Sequence, residues 1–274
     1  MTGARLSVGL WVVFGLVGCG IEADLSRAEK ALAHNDLDKA EKRFRKVLAR
    51  EPEHAQALYG LGWAYHLGSQ PDRAREFFVR CRRVAPEDHR CEKGLGSVAL
   101  SQGNLLLAEE HLKSALALAP EEPAVVNSLA LVHLAGKRYE AALELLTPLV
   151  ERVADRGEYR LNLAEALYRL ERYEEALKEV DKALATPIRE RRFVALLLQL
   201  RARVVLAMTS GRMDPQDCEG TLPPLLAWLD RAAMDLDKAE KVGLVAEEIR
   251  QVRHKLHRRR SILMETCTGS TLPL

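Results

Sequence analysis

The chain has 274 residues, 47% hydrophobic, 29% charged and 5% aromatic, with a formal net charge of +2. These proportions exclude a disordered, fibrous or polytopic membrane chain, and the near-neutral balance gives no general case for nucleic-acid binding. Scarce aromatics beside abundant Ala and Leu point to helices rather than strands.

At the N-terminus, Arg5 precedes an uncharged apolar stretch from Leu6 to Val17. That stretch is too short to span a bilayer comfortably but suits the apolar core of a secretory signal. It ends in Leu16-Val17-Gly18-Cys19, which resembles the bacterial lipobox. The resemblance implies a lipoprotein signal peptide over 1–18, cleavage before Cys19, and a lipidated N-terminus over 19–20 in which Cys19 carries the acyl chains (palmitate among them). An ordinary cleaved signal or an apolar N-terminal helix is the competing reading. Several acyl chains, at about 0.8 kcal/mol per buried CH₂, make a stable anchor where one chain does not. Gly20, rather than Asp, follows the cysteine. By resemblance to the best-known sorting rule, that favours the outer membrane, with the chain on its periplasmic side.

The chain then repeats. Ala40, Ala74, Ala108, Ala142 and Ala176 lie 34 residues apart without an insertion. Four residues after each comes a bulky apolar position (Phe44, Phe78, Leu112, Leu146, Val180), and three further on Val47, Cys81, Ala115, Leu149 and Ala183. Pro52, Pro86 and Pro120 close three units in one register, while the fourth lacks that proline and carries Pro148 earlier. Upstream, Leu61-Gly62, Leu95-Gly96, Leu129-Ala130 and Leu163-Ala164 keep the same spacing. The pattern resembles the tetratricopeptide repeat, with units at 21–54, 55–88, 89–122, 123–156 and 157–190. The resemblance implies an all-α fold, an α-solenoid in which small residues mark the crossing of helices A and B. Large residues fill the groove to the next unit, and proline ends helix B because it cannot continue the hydrogen-bond ladder.

Past residue 190 the register fades. An apolar helix over 191–208, a turn-rich loop and a Leu-rich helix from about Pro223 to Leu236 read as a degenerate sixth repeat. A further helix from Asp237 to Leu263, with Val242, Val245, Ile249, Val252, Leu256 and Leu263 on one stripe, reads as the C-terminal cap that a solenoid needs. Residues 191–263 thus form the degenerate repeat and cap, and 264–274 a flexible tail.

No nucleophile elbow, phosphate loop, dinucleotide fingerprint or zinc-protease helix occurs, so the sequence gives no reason to expect an enzyme or a cofactor. Gly60-Leu61-Gly62 and Gly94-Leu95-Gly96 fall where helices cross, which explains them better than phosphate binding. The tetratricopeptide resemblance makes the helices bearing Cys81 and Cys91 neighbours, so a disulfide is one reading in an oxidising periplasm. Two small apolar residues in a packing seam is the second reading, and a metal site with His89 is a remote third, since the spacing fits no common zinc pattern. The segment 250–260, rich in Lys and Arg and free of acids, reads as a solvated helix face or as a contact for anionic headgroups or an acidic partner.

In the tetratricopeptide family, partners bind on a face lined by the A helices. The resemblance places Gln56, Tyr59, Trp63, His66, Arg90, Lys93, Asn127 and Asn162 on that face. An aromatic pair beside a basic pair is suited to a segment with an acidic end, although Trp63 could also be plain packing. The combination resembles the tetratricopeptide pilotins that help type IV pilus secretins assemble. It implies a scaffold whose partners are envelope proteins, a secretin or a motility-complex subunit, with the membrane reached through the lipid anchor. Adaptors of gliding or other motility machines, of cell-wall enzymes, or of outer-membrane assembly share the same features. Neither nucleic acid nor a small-molecule substrate is expected.

Overall fold

The alanines spaced 34 residues apart are all fully buried, as are the bulky residues four positions on, Phe44, Phe78, Leu112, Leu146 and Val180. The periodic pattern is therefore the core itself. A computed structural model describes residues 8–186, 191–210, 218–241 and 246–268, and these are helical with no strand among them. The helices are α1 (Val8–Ala33), α2 (Leu37–Leu48), α3 (Ala55–Leu67), α4 (Pro71–Val84), α5 (His89–Ser101), α6 (Leu105–Leu118) and α7 (Pro123–Ala135). They are followed by α8 (Tyr139–Arg152), α9 (Gly157–Arg169), α10 (Tyr173–Ala185), α11 (Arg191–Thr209), α12 (Cys218–Lys241) and α13 (Ala246–Thr268). Two compact units divide the chain, residues 1–132 and 133–274.

Local chemistry sets the helix ends. The side chains of Asp36, Asp88 and Asn104 cap α2, α5 and α6 by accepting from the amides of Lys39, Arg90 and Leu107, and Pro71 opens α4, where its missing N–H costs nothing. The A-to-B turns share one backbone feature. Asn35, Ser69, Gly103, Lys137 and Glu171 all have φ between 56° and 75°, and they too are 34 residues apart. Only one of the five is glycine, although that conformation costs other residues about 1 kcal/mol or more. Proline proves less decisive than expected. α2 ends at Leu48, four residues short of Pro52, and α8 runs through Pro148 to Arg152.

In the first unit, α1–α2, α3–α4 and α5–α6 pack as hairpins. The bulky residue of one hairpin meets glycine in the next. A Cβ on Gly60 would lie 2.2 Å from Phe44, and one on Gly94 would lie 2.5 Å from Phe78. Close approach of backbone to aromatic ring is what these glycines permit. Cys81 and Cys91 are joined as a disulfide, with Cα atoms 5.6 Å apart, so α4 of the second repeat is bonded to α5 of the third. Beside it, the buried carboxylate of Glu92 receives His111 Nδ1 at 2.7 Å and Arg82 at 3.3 Å. Asp24, buried on α1, meets Arg43 and Lys46 at 2.8 Å each and Arg50 at 3.7 Å, all from α2. Hydrogen bonding from Lys46 leads the effects that hold the Asp24 carboxyl below its ordinary pKa, against burial.

In the second unit, α9–α10 pack as a hairpin and α11, α12 and α13 pack together. Here the boundaries differ from the sequence expectation. α12 begins at Cys218, five residues before Pro223, and runs on to Lys241. The two prolines sit near its open N-terminal end, where lost amide donors matter least. Leu225, Leu229, Ala232, Leu236 and Ala239 form one buried stripe, so Asp237–Lys241 continue α12 rather than start the cap. The cap helix starts at Ala246 and is buried through Ile249, Leu256 and Leu263; Val242 and Val245 lie outside the described residues. It extends to Thr268, so 264–268 are helical rather than a flexible tail, and 269–274 lie outside the described residues. Arg201 forms a two-bond fork on the buried carboxylate of Asp235, at 2.7 and 2.8 Å, and reaches Asp181 at 2.8 Å.

Candidate partner-binding face

Gln56, Tyr59, Trp63 and His66 recur at three- and four-residue steps along α3, so one helix face presents all four. Arg90 and Lys93 lie on α5, which packs against α3. Structure brings the six together. Trp63 is half-buried and edge-on to Tyr59, His66 and Phe78, with ring centroids 6.2, 5.1 and 5.8 Å away. Lys93 Nζ sits 5.5 Å from the Trp63 ring centre, and the Arg90 guanidinium 5.3 Å from that of Tyr59. Gln56 Nε2 donates to Glu29 Oε1 of α1 at 2.6 Å. Tyr59 and Trp63 thus belong partly to the edge of the first unit's core and partly to its surface.

The electrostatics differ from the expected basic pair. Arg90 donates from Nε and Nη2 to the Asp88 carboxylate, the shortest contact being 2.6 Å. The Asp88 bond holds the Arg90 guanidinium above its ordinary pKa, and the Arg90 bond holds the Asp88 carboxyl below its own. Arg90's charge is therefore already matched within the chain, and an acidic partner end finds less excess positive charge here than the sequence suggests. Burial lowers the His66 pKa, so its ring is neutral at pH 7, and burial raises that of the Tyr59 phenol. The indole N–H of Trp63 is buried and meets no acceptor. Leaving such a donor unsatisfied costs about 1–3 kcal/mol.

Asn127 is a half-buried residue of α7. Asn162 lies on α9 in the second unit, on a helix that also carries Glu165 and Tyr168. There the Arg203 guanidinium of α11 stacks 4.6 Å from the Tyr168 ring centre and pairs with Glu165 at 3.3 Å. Nothing periodic marks Arg203, so the sequence gave no signal for it. The Cys19 side chain lies outside the described residues. No described helix is long and apolar enough to cross a membrane, and no cluster of metal-binding side chains occurs among the described residues. The basic segment 250–260 is largely neutralised. Arg250 pairs with Glu247, Arg253 with Asp237 and Glu240, and Arg260 with Asp230, while Arg259 donates to the Thr209 carbonyl. Acids from α12 and from the first turn of α13 supply these partners, which inspection of 250–260 alone does not reveal.

Paired helices in 34-residue register, packed small-on-large, define a class of protein-binding repeat. Tetratricopeptide-repeat models match residues 25–88 and 99–160, and the chain is a tetratricopeptide-repeat protein. A TPR repeat-containing protein of Pseudomonas aeruginosa is 36% identical over 99 residues, 35% of this chain and 16% of that protein. The anaphase-promoting complex subunit cut9 of Schizosaccharomyces pombe is 24% identical over 160 residues, 56% of this chain and 24% of that one. The matches thus span less than a quarter of these curated relatives' own length. Among solved structures, Cut9 in the Cut9-Hcn1 hetero-tetramer superposes with a TM-score of 0.70 at 17% identity, covering 86% of this chain and 42% of that one. Pseudomonas aeruginosa pilF gives 0.64 at 19%, covering 86% and 97%. A tetratricopeptide repeat protein from Parabacteroides merdae gives 0.63 at 15%, covering 86% and 84%. At these identities the likeness is one of fold.

Proposed function

We propose that this chain is a lipid-anchored scaffold on the periplasmic side of the outer membrane, binding a protein partner through the α3–α5 face during assembly of an envelope machine. The type IV pilus secretin is the machine we favour. The observation that carries the binding role is Trp63, a large ring left half-exposed beside Tyr59 with a buried indole N–H that meets no acceptor. A partner that shifts the neighbouring side chains and brings a carbonyl to that N–H would satisfy it, and aromatic residues of this kind dominate binding hot spots. The lipobox-like Leu16-Val17-Gly18-Cys19 supports the anchor. The disulfide between Cys81 and Cys91, with a further one engaging Cys267, suits an oxidising compartment. The secretin assignment rests on the resemblance to pilotins in anchor, repeat type and size.

Trp63→Ala tests the face. Recovery of the partner from detergent-solubilised envelopes should fall at least tenfold, about 1.4 kcal/mol, with the folded state retained at 37 °C. Unchanged recovery by a folded variant would remove this face from the reading. Fatty-acid labelling tests the anchor: a signal that persists in Cys19→Ala sinks it. Recovery of a secretin with the wild-type chain is the outcome that favours the pilus machine over another motility or cell-wall complex.

A further inference from the structure

On α2, Lys39, Arg43, Lys46 and Arg50 follow one another at steps of four, three and four residues, so they form a single stripe along the helix. Three of them converge on the buried Asp24 of α1, yet their side chains stay 32%, 49% and 40% exposed. Lys39, 61% exposed, stands 4.0 Å from Asp36. Four cations thus face two carboxylates, and the excess positive charge is turned to solvent. The stripe also adjoins the start of the mature chain. Arg50 Nη1 lies 3.0 Å from where a Cβ on Gly20 would sit, and Gly20 is the residue after Cys19.

We propose that this α2 stripe is a contact surface for anionic phospholipid headgroups, seating the first repeat on the leaflet that holds the acyl chains. The inference rests on the lipid-anchor reading of Cys19. An anchor fixes residue 19 at the bilayer, so the side chains beside Gly20 reach the headgroup layer without any further binding event. There each Lys or Arg strengthens the contact about fivefold, the equivalent of roughly 1 kcal/mol. The segment 250–260 is the weaker candidate for this role, because acids of α12 and α13 pair most of its charge.

The test uses the acylated full-length mature protein in vesicles of phosphatidylcholine, with or without roughly one third phosphatidylglycerol. Acetylation of the Lys46 amine is followed by mass spectrometry, with Lys113 of α6 as internal reference. Lys46 labelling relative to Lys113 should slow at least fivefold on the anionic vesicles and recover in about 1 M NaCl, where the screening length is about 3 Å. The variant Lys39→Gln with Arg50→Gln keeps Arg43 and Lys46 on Asp24, so it folds, and it should lose most of the slowing. Equal labelling on both vesicles while the protein stays bound, or slowing that the variant retains in full, overturns the headgroup contact. Failure to remain on pure phosphatidylcholine vesicles would instead sink the lipid-anchor reading, and the inference with it.

Discussion

In the first unit, Phe44 presses on Gly60 and Phe78 on Gly94, and the same small-on-large contact recurs at each 34-residue step. Helices α11–α13 have no such recurrence. Their core is assembled from stripes on helices of 19, 24 and 23 residues and locked by the Arg201–Asp235 fork, whose carboxylate is almost fully buried. One region is specified by shape and repeated locally. The other depends on a single charged pair 34 residues apart in sequence. The difference teaches that a repeat array can lose its sequence register and still pack as helices, provided that a specific polar contact replaces the lost complementarity.

Four substitutions or conditions break or sharpen that contrast. The largest effect is expected from Asp235→Ala, which leaves the Arg201 guanidinium buried without its main partner. A loss of about 3–5 kcal/mol is expected, measured by denaturant unfolding. Replacing both partners with apolar residues (Arg201→Met with Asp235→Leu) should recover most of it, and if it does not, the pair matters for something other than charge burial. Next, Gly94→Ala should cost about 1–3 kcal/mol by overpacking against Phe78. A double-mutant cycle with Phe78→Leu should show strong coupling, and additivity would mean that the ring moves aside freely.

A third effect is the pH dependence from Asp24. Its folded pKa lies below the unfolded value, so its contribution is fully present above the ordinary carboxylate range. It is lost as pH falls through the lowered folded value. Acid unfolding of Asp24→Asn, compared with wild type, should show a shallower loss between roughly pH 4 and the acid limit. The smallest effects concern the left-handed turn position. Gly103→Ala should cost about 1 kcal/mol, since nothing lies within 4 Å of the added methyl and only backbone strain acts. Lys137→Gly and Glu171→Gly should each stabilise by up to about 1 kcal/mol, read as a rise in melting temperature.

The first five repeats were legible because one period carries both the small and the large residues, and every one of those positions is buried. The ends of α12 and α13 were not. Pro223 and Pro224 look like a start signal, yet a helix tolerates them within its opening turns, and the stripe through Leu236 and Ala239 continues without a break. On the candidate face, residue types and spacing placed Tyr59, Trp63, Arg90 and Lys93 together. Compensation of Arg90 by Asp88 was hidden because the partner lies two residues away on the cap, not on the helix face being read. The turn residues at 35, 69, 103, 137 and 171 went unnoticed for another reason. Their side chains have nothing in common, and only the backbone dihedral repeats.

The covalent bond between Cys81 and Cys91 has a consequence for how the array comes apart. Linear arrays fray from their ends, because a terminal repeat has one neighbour to lose and an inner one has two. A fraying front entering at the first repeat meets, at α4, a helix whose last turn is bonded to the following repeat. Peeling the second repeat away leaves that turn still tethered to α5, so much of the chain entropy that drives fraying is withheld there. The staple thus marks where reversible breathing of the N-terminal end stops, and it ties the repeat that carries Tyr59 and Trp63 to the one that carries Arg90 and Lys93.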